Sequence, residues 1–297
     1  MQKEVTMPNW VRNRVIAKDF AELKKHLVNE QGNVDFNLAV PKSSDLDITS
    51  GSYSYEIKSK YFHNEAEQKK LDKQQSSVGV YLDEIYNNEI SQSNFVETVL
   101  ENKELVKRIK AYKGWSTRKR EGKWAMSETD MKEALSTYIK GFFNLKRYGY
   151  KDWYDWSVVN WGTKWNATTI SIDDDIEEIE FDTAWSMPEP VFRAIAKHTP
   201  IRVLYADEDL GHNCGMEDYY VNENGEVEIS VVLEGSTELA NDCWGHGCIS
   251  VYDNETGDYV EEDDTRFIEA NKNYSAVQEE INVLMNTETI DKDFKEV

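Results

Sequence analysis

The cysteines of this chain are concentrated in one short stretch that also holds two histidines. The stretch contains His212, Cys214, Cys243, His246 and Cys248. Thiolate and imidazole are the ligands that zinc prefers, and a tetrahedral site needs about four of them. The spacing lacks the paired Cys-x-x-Cys of common zinc modules, and buried cysteines with turn histidines explain the same residues. We therefore expect no cofactor and keep zinc as the weaker alternative.

A dense run of carboxylates lies in the middle of the second half. It comprises Asp173, Asp174, Asp175, Glu177 and Glu178. Oxygen ligands of this kind bind Mg²⁺ or Ca²⁺, but the run lacks the glycine and terminal glutamate of an EF-hand loop. A solvated face is a second interpretation. In a third, strand alternation spaces the carboxylates regularly, so that they imitate DNA phosphates toward a basic protein partner. We predict partner contact.

Tryptophans crowd the same region. Five of the nine lie within 33 residues, at positions 153, 156, 161, 165 and 185. They form either an aromatic binding platform or core packing with the indole N–H groups satisfied nearby. Most of them fit the core better, because an acidic region disfavours stacking on nucleic-acid bases. Trp185 and Phe192 are predicted to contact the partner.

A basic stretch precedes this region. Between Lys103 and Lys123 there are nine basic residues and two acidic ones. A nucleic-acid patch is open, but self-association with the acidic half of a second copy, or a solvated helix face, suits the charges better. We predict a homo-oligomer, with self-association through Trp115, Arg118, Lys119 and Arg120.

The charge of the chain differs sharply between its halves. Residues 151–297 contain 9 basic and 35 acidic residues and carry −26, whereas residues 1–150 carry +4. Such a field repels nucleic acid and anionic membranes, so neither is an expected partner. No apolar stretch approaches the roughly 20 residues of a membrane span, and no secretory leader is evident. Three cysteines argue against a disulfide framework. We expect a cytoplasmic protein.

Catalytic signatures are missing from the sequence. It contains no G-x-S-x-G, no phosphate-binding glycine loop and no H-E-x-x-H. Five histidines limit the choice of a general base. We therefore expect a protein that is not an enzyme.

The elements that must position these residues begin with a β-α-β pattern. A strand is predicted over residues 10–16, a helix after Asp19, and a second strand over residues 34–40 that ends at Pro41. Residues 61–147 show helical periodicity and predict three or four helices. One of them has an apolar face that includes Val80, Leu82 and Ile90.

Strands return after Tyr150. They are predicted over residues 155–161, 167–172, 176–181, 201–205, 218–221, 227–233 and 248–252. Helices are predicted after Pro188 or Pro190 and over residues 263–286. The class is α+β, a ferredoxin-like β-α-β sandwich interrupted by a helical insertion, with extra C-terminal strands and a terminal helix. The predicted domains are 1–42 with 151–252, the helical arm 43–150 and the C-terminal helical extension 253–297.

Four separated sequence blocks carry a family resemblance. They are Met7–Asn13, Asn160–Ala167, Phe181–Pro190, and Tyr205–Glu208 followed by Cys214–Gly215. In this order they resemble the ferredoxin-like domain of phage- and plasmid-encoded proteins of the YubB type. The resemblance implies a mobile-element origin and a ferredoxin-like fold, and it implies no established chemistry.

A second resemblance concerns length, acidity and a β-rich part joined to a helical part. In these respects the chain is similar to phage anti-defence proteins that block the Gabija nuclease–helicase system. The resemblance implies an oligomer that binds the host complex and denies it DNA without catalysis. We therefore expect a phage-encoded inhibitor in the host bacterial cytoplasm. A metal-dependent enzyme using the Cys/His cluster and a structural accessory protein of a mobile element remain the alternatives.

Overall fold

The computed structural model describes residues 9–51, 53, 78–87, 94–118, 125–208, 213–244, 250–253, 258–261 and 272–277. The strands are β1 (Trp10–Ala17), β2 (Thr168–Asp173), β3 (Glu178–Ala184), β4 (Ile201–Asp207), β5 (Cys214–Val221), β6 (Val227–Glu234), β7 (Ser250–Asp253) and β8 (Asp258–Glu261). The helices are α1 (Phe20–Leu27), α2 (78–87), α3 (Phe95–Glu101), α4 (Lys103–Lys113), α5 (Glu128–Tyr148), α6 (Trp153–Asn160), α7 (Glu189–Ala196), α8 (Thr237–Trp244) and α9 (272–277).

The chain divides into two compact units. The sheet unit comprises Met1–Pro41 and Ser157–Val297, and the helical unit comprises Lys42–Trp156. Among the described helices of both units, none is long and apolar enough to cross a lipid bilayer.

The main sheet has the strand order β2-β3-β1-β4-β5-β6, and every neighbouring pair is antiparallel. Along the chain, β1, α1, β2, β3, α7 and β4 follow the β-α-β-β-α-β sequence of the ferredoxin-like fold. Each βαβ pair is split by a strand inserted between its members, as that fold requires. The predicted α+β, ferredoxin-like class is confirmed, and β5 and β6 extend the sheet beyond β4.

The predicted second strand over residues 34–40 is wrong. Its side chains alternate, but Asp35 accepts a hydrogen bond from the backbone N–H of Asn37 and caps a short 3₁₀ helix, Phe36–Leu38. Only Val34 makes an isolated bridge, to Val28. The second strand of the fold is β2, so the long insertion separates α1 from β2.

The strand predicted over residues 155–161 is also wrong, since α6 occupies most of this stretch. Asp152 starts the helix by accepting a hydrogen bond from the backbone N–H of Tyr154 at 3.0 Å. Tryptophan and valine favour strands, but here the local cap and tertiary contacts decide.

Helices cover both faces of the sheet. Every second residue of β1 is buried, because successive side chains of a strand point to opposite faces of the sheet. The helices α1 and α7 bury residues such as Leu23 and Phe192 on one face. On the other face α8 packs against β4, and its cluster includes Leu204, Met216 and Leu239.

The helical unit has its own core. Leu82, Phe95, Ile109 and Tyr138 are fully or almost fully buried there. A capping box begins α5, in which Ser127 and Asp130 each accept from the backbone of the other. The predicted apolar face of α2 is partly wrong, because Val80 is 53% exposed. Ile90 lies outside the described residues.

The C-terminal elements are partly described. β7 and β8 form a separate antiparallel hairpin, and β7 corresponds to the strand predicted over residues 248–252. Of the predicted helix over 263–286, residues 272–277 are helical, and the rest lie outside the described residues. Tyr274 and Val277 of α9 pack with α8.

Candidate functional site

Strand register places the predicted partner-binding residues at two opposite ends of the sheet. At one end Ile16 pairs with Glu178, and Ile201 pairs with both Ala17 and Tyr219. The β2–β3 turn, the α7–β4 connection and the β5–β6 turn therefore share this end, which we call the acidic end. At the other end Trp10 pairs with Ala184. We call this the tryptophan end.

The β2–β3 turn displays most of the predicted acidic run. Asp173, Asp174, Asp175 and Glu177 are exposed. The Asp173 carboxylate accepts from the backbone N–H of Asp175 at 2.9 Å and so shapes the turn. Asp174 accepts from the ammonium of Lys24 at 2.7 Å.

Two expectations about this run do not hold. Most of the run lies in the turn rather than along a strand, so regular spacing by strand alternation is wrong. Glu178 is buried, and its carboxylate accepts two hydrogen bonds from Arg14 at 2.8 and 2.9 Å. Glu178 therefore belongs to a structural ion pair with Arg14 and not to an accessible contact surface.

The β5–β6 turn adds carboxylates that sequence reasoning missed. Glu223, Glu226 and Glu228 are exposed. Asn222 accepts from the backbone N–H groups of Asn224 and Glu226 at 2.9 and 3.0 Å, which closes the turn. The Asn224-Gly225 pair signals such a turn, but only the register shows that it shares an end with the β2–β3 turn.

Each described arginine of the sheet unit forms an ion pair with a carboxylate of the same unit. The pairs are Arg12 with Asp182, Arg14 with Glu178, Arg193 with Glu189, and Arg202 with Asp218, at N···O distances of 2.6 to 2.8 Å. Burial acts to lower the pKa of Arg14, but hydrogen bonding to Glu178 and the charges of Glu178 and Asp242 raise it overall. The exposed carboxylates of both turns therefore face solvent without arginine neutralisation from this described part of the unit.

A cleft of about 760 Å³ opens at the acidic end. Its lining includes Lys18, Lys24, Asp174, Glu177 and His198. Both signs of charge line it, so its walls suit neither a simple anion nor a simple apolar ligand. This cleft could not be predicted from the sequence, because its residues come from three separate segments of the chain.

The tryptophan end carries an exposed aromatic cluster. The Lys164 ammonium lies 4.2 Å from the ring centroid of Trp165 and 4.8 Å from that of Trp185, both within cation–π range. Trp10 and Trp165 lie 6.1 Å apart between ring centroids. Trp185 is 43% exposed and has φ of 73°, a left-handed conformation that costs a bulky residue free energy. Strain of this kind often marks a functional position.

Hydrogen bonds join the two tryptophan-rich blocks into this one cluster. The Thr163 hydroxyl donates to the carbonyl of Ala184 at 2.8 Å, and the Ser186 hydroxyl donates to the carbonyl of Gly162 at 2.5 Å. The Asn213 amide donates to the carbonyl of Trp185 at 3.1 Å. Sequence proximity alone did not predict that Lys164 and Trp185 would meet.

Other members of the blocks are structural. The Trp161 indole N–H donates to the carbonyl of Val40 at 2.9 Å, and Asn166 donates to Asp35 at 2.9 Å. Phe192 is fully buried and its ring lies 5.8 Å from that of Tyr219. The predicted role of Phe192 in partner contact is therefore wrong, whereas Trp185 is accessible.

A buried polar trio ties β4 to β5. The phenols of Tyr219 and Tyr205 donate to the Glu217 carboxylate at 2.5 and 3.3 Å. Burial and the Glu217 charge raise the pKa of both phenols, so they remain protonated donors. A Cβ on Gly215 would lie 2.9 Å from the Tyr205 hydroxyl oxygen. The trio is built as a structural network.

The Cys/His stretch is only partly described. Cys214 and Cys243 are free and buried. Burial raises the pKa of Cys214 to about 11 and also raises that of Cys243. His212, His246 and Cys248 lie outside the described residues.

The predicted self-association residues lie in the helical unit. The Trp115 ring packs at 5.9 Å from that of Tyr53 and at 6.2 Å from that of Tyr138. Trp115 is half-buried against the helical core, while Arg118 is exposed. Lys119 and Arg120 lie outside the described residues.

Comparison with known proteins reaches part of the sheet unit. No curated protein and no solved structure matches the chain. A family model described as a ferredoxin-like domain in Api92-like protein matches residues 164–242. The match begins at Lys164 in the aromatic cluster and runs through most of α8. Over these residues the chain is similar to the ferredoxin-like domain of Api92-like proteins.

Proposed function

We propose that the protein is a phage-encoded anti-defence inhibitor that binds a host antiphage nuclease–helicase complex of the Gabija type. It acts in the host bacterial cytoplasm without catalysis and denies the complex its DNA. Its acidic end faces a basic DNA-binding surface of the complex, and it binds no nucleic acid itself.

The observation that carries this proposal is the pairing of charges in the sheet unit. Both acidic turns lie at one end of the sheet, and the described arginines of that unit pair with carboxylates other than the exposed ones of these turns. Of those exposed carboxylates, Asp174 contacts Lys24. A charged protein surface steers and orients a partner of opposite charge. A basic nucleic-acid-binding surface is such a partner.

The tryptophan end supports a protein partner rather than a small molecule. Tryptophan is enriched in the hot spots of protein interfaces, and Trp185 is 43% exposed. The Trp185 backbone is strained, and its side chain is accessible to a partner. This gives the sheet unit one polar and one aromatic contact region.

The test is an affinity pull-down of the tagged chain from lysate of bacteria that carry the Gabija system, read by mass spectrometry. We expect stoichiometric recovery of the nuclease–helicase complex at low salt. Recovery should fall as salt shortens the Debye length from about 30 Å at 0.01 M to about 10 Å at 0.1 M. Recovery of no defence protein by folded chain would contradict the proposal and favour the accessory-protein alternative.

A charge-matched pair of variants tests the acidic end directly. D174N/D175N/E177Q removes three exposed charges and spares Asp173, which shapes the turn. E97Q/E101Q/E133Q removes three exposed charges from the helical unit. We expect about tenfold weaker binding for the first and little change for the second. Equal affinities of the two variants would contradict a role for the acidic end.

A further inference from the structure

We propose that Glu22, His26 and His198 form a binding site for a divalent transition-metal ion of the zinc class. The site lies in the sheet unit, beside the cleft at the acidic end. The proposal stands independently of the proposed function, because it concerns different side chains and a different ligand.

The fold brings the three residues together from two elements. Glu22 and His26 are four residues apart on α1 and so share one helix face. His198 follows the end of α7, which packs against α1. One potential ligand atom from each residue lies within 4.8 Å of the other two.

The donor set fits a specific class of metal. Two imidazoles and one carboxylate are a common ligand set for catalytic zinc sites, in which a fourth position holds water. Mg²⁺ and Ca²⁺ prefer oxygen ligands alone. The three residues therefore favour zinc or a similar ion over Mg²⁺ and Ca²⁺.

A buried nitrogen provides a second observation. Within the described part of the chain, His26 Nε2 is shielded from solvent and has no hydrogen-bond partner of adequate geometry. The Oε2 atom of Glu22 lies 3.3 Å from it. Buried polar atoms are rarely left unsatisfied, and an ion between His26, Glu22 and His198 would satisfy this one.

Charged side chains of both signs surround the cluster. On the cleft side, Asp174 and Glu177 are accompanied by Lys18 and Lys24, so the Glu22 carboxylate is the ligand that supplies negative charge to an incoming cation.

Two local movements accompany binding. The His26 and His198 rings are stacked with centroids 3.8 Å apart, and imidazole binds metal along a lone pair in its own plane. His198 is exposed, so its ring can turn until both lone pairs meet one ion. Lys25, whose side chain is 65% exposed, must release the Glu22 carboxylate that it contacts at 3.0 Å.

The test is a titration of chelator-treated full-length protein with Zn²⁺ in excess Mg²⁺, which occupies weak carboxylate sites. We expect one zinc ion per chain by calorimetry. H198A should weaken binding at least about tenfold, as should E22Q, because each removes one of three ligands. H198A alters an exposed side chain, so circular dichroism should show an unchanged fold.

The matched control is H212A/H246A, which removes the histidines of the Cys/His stretch and leaves the proposed ligands intact. We expect this control to bind zinc like the wild type. Co²⁺ in place of Zn²⁺ should give visible d–d bands without a thiolate-to-cobalt charge-transfer band. Loss of binding in the control, a thiolate band, or no stoichiometric zinc in the wild type would overturn the proposal.

Discussion

At the residue scale, two glycines have the same backbone conformation but different surroundings, so they distinguish backbone strain from steric contact. Gly162 and Gly225 both have φ of 80°. A Cβ on Gly162 would lie 2.8 Å from Cδ of Pro190, whereas one on Gly225 would meet nothing within 4 Å. Gly162 therefore allows the two tryptophan-rich blocks to pack closely, whereas Gly225 is needed only for the conformation of the turn.

We predict that G162A destabilises the protein more than G225A. Both variants carry the left-handed penalty of about 1–2 kcal/mol, and G162A adds an overpacking cost of about 1–3 kcal/mol. Urea unfolding gives the two free energies of unfolding directly. Equal losses would show that the contact between the 162 and 190 segments relaxes without cost.

Asp35 gives a prediction about pH. Burial acts to raise its pKa, but hydrogen bonds from Asn37 and Asn166 outweigh burial and hold the pKa below its ordinary value of 3.8. A lowered folded-state pKa stabilises the fold above the unfolded pKa of about 3.9, and that contribution is lost as pH falls through the folded pKa. D35N should therefore be less stable than wild type at pH 7.

The check is the difference in unfolding free energy between wild type and D35N, measured from pH 7 downwards. This difference should shrink as pH falls below about 4. A double-mutant cycle with N166A should show coupling at pH 7 that weakens at low pH. A difference that is independent of pH would contradict the assignment to the Asp35 carboxylate.

The candidate site shows where residue-level prediction stops. The acidity of the Asp173–Glu177 run could be predicted, because composition is local, whereas Trp185 and Phe192 were predicted alike as partner contacts and only Trp185 is accessible. The sequence did not indicate that Phe192 and Glu178 are buried, since the partners Tyr219 and Arg14 are distant in the chain. The cluster of Glu22, His26 and His198 was missed for the same reason.

At the element scale, most strands and helices of the sheet unit follow from local pattern. Burial alternates along the whole of β1, and α1 has a capping Asp19. Two segments with strand-like composition fold otherwise, because Asp35 and Asp152 bond their own backbone two residues ahead. Such capping competes with strand pairing.

The attachment of α8 to the sheet is the element-scale contact that we expect to be most sensitive to mutation. Arg14 reaches from β1 to Glu178 on β3 and to Asp242 on α8. We predict that R14L costs about 3–5 kcal/mol, because it leaves the buried Glu178 carboxylate unpaired. Chemical denaturation measures this loss.

Two further variants define the cause. R14L/E178L should be more stable than R14L alone, since replacing both members of a buried pair removes the unpaired charge. R193L breaks the exposed pair with Glu189 and should cost no more than about 1 kcal/mol. If R14L lowered the free energy of unfolding no more than R193L, the buried pair would contribute no more to stability than the exposed one.

At the scale of the whole molecule, the two units have separate cores. Phe95 is buried in the helical unit and Phe181 in the sheet unit. We predict that F95A and F181A each cost about 3–5 kcal/mol in their own unit. Hydrogen exchange read by mass spectrometry should show lost protection in α3 to α5 for F95A and in the main sheet for F181A. Equal loss everywhere in both variants would instead indicate one cooperative unit.

The position of the insertion also sets the order in which the protein can be assembled during translation. β1 lies between β3 and β4 in the sheet, yet about 160 residues are synthesised between β1 and β3. At about 5–20 residues per second, this is a delay of roughly 8–30 s. The helical unit leaves the ribosome within that interval and can fold on its own contacts. Thus β1 is synthesised first but pairs late. In a nascent chain that ends before residue 178, neither of its neighbouring strands, β3 and β4, has been synthesised.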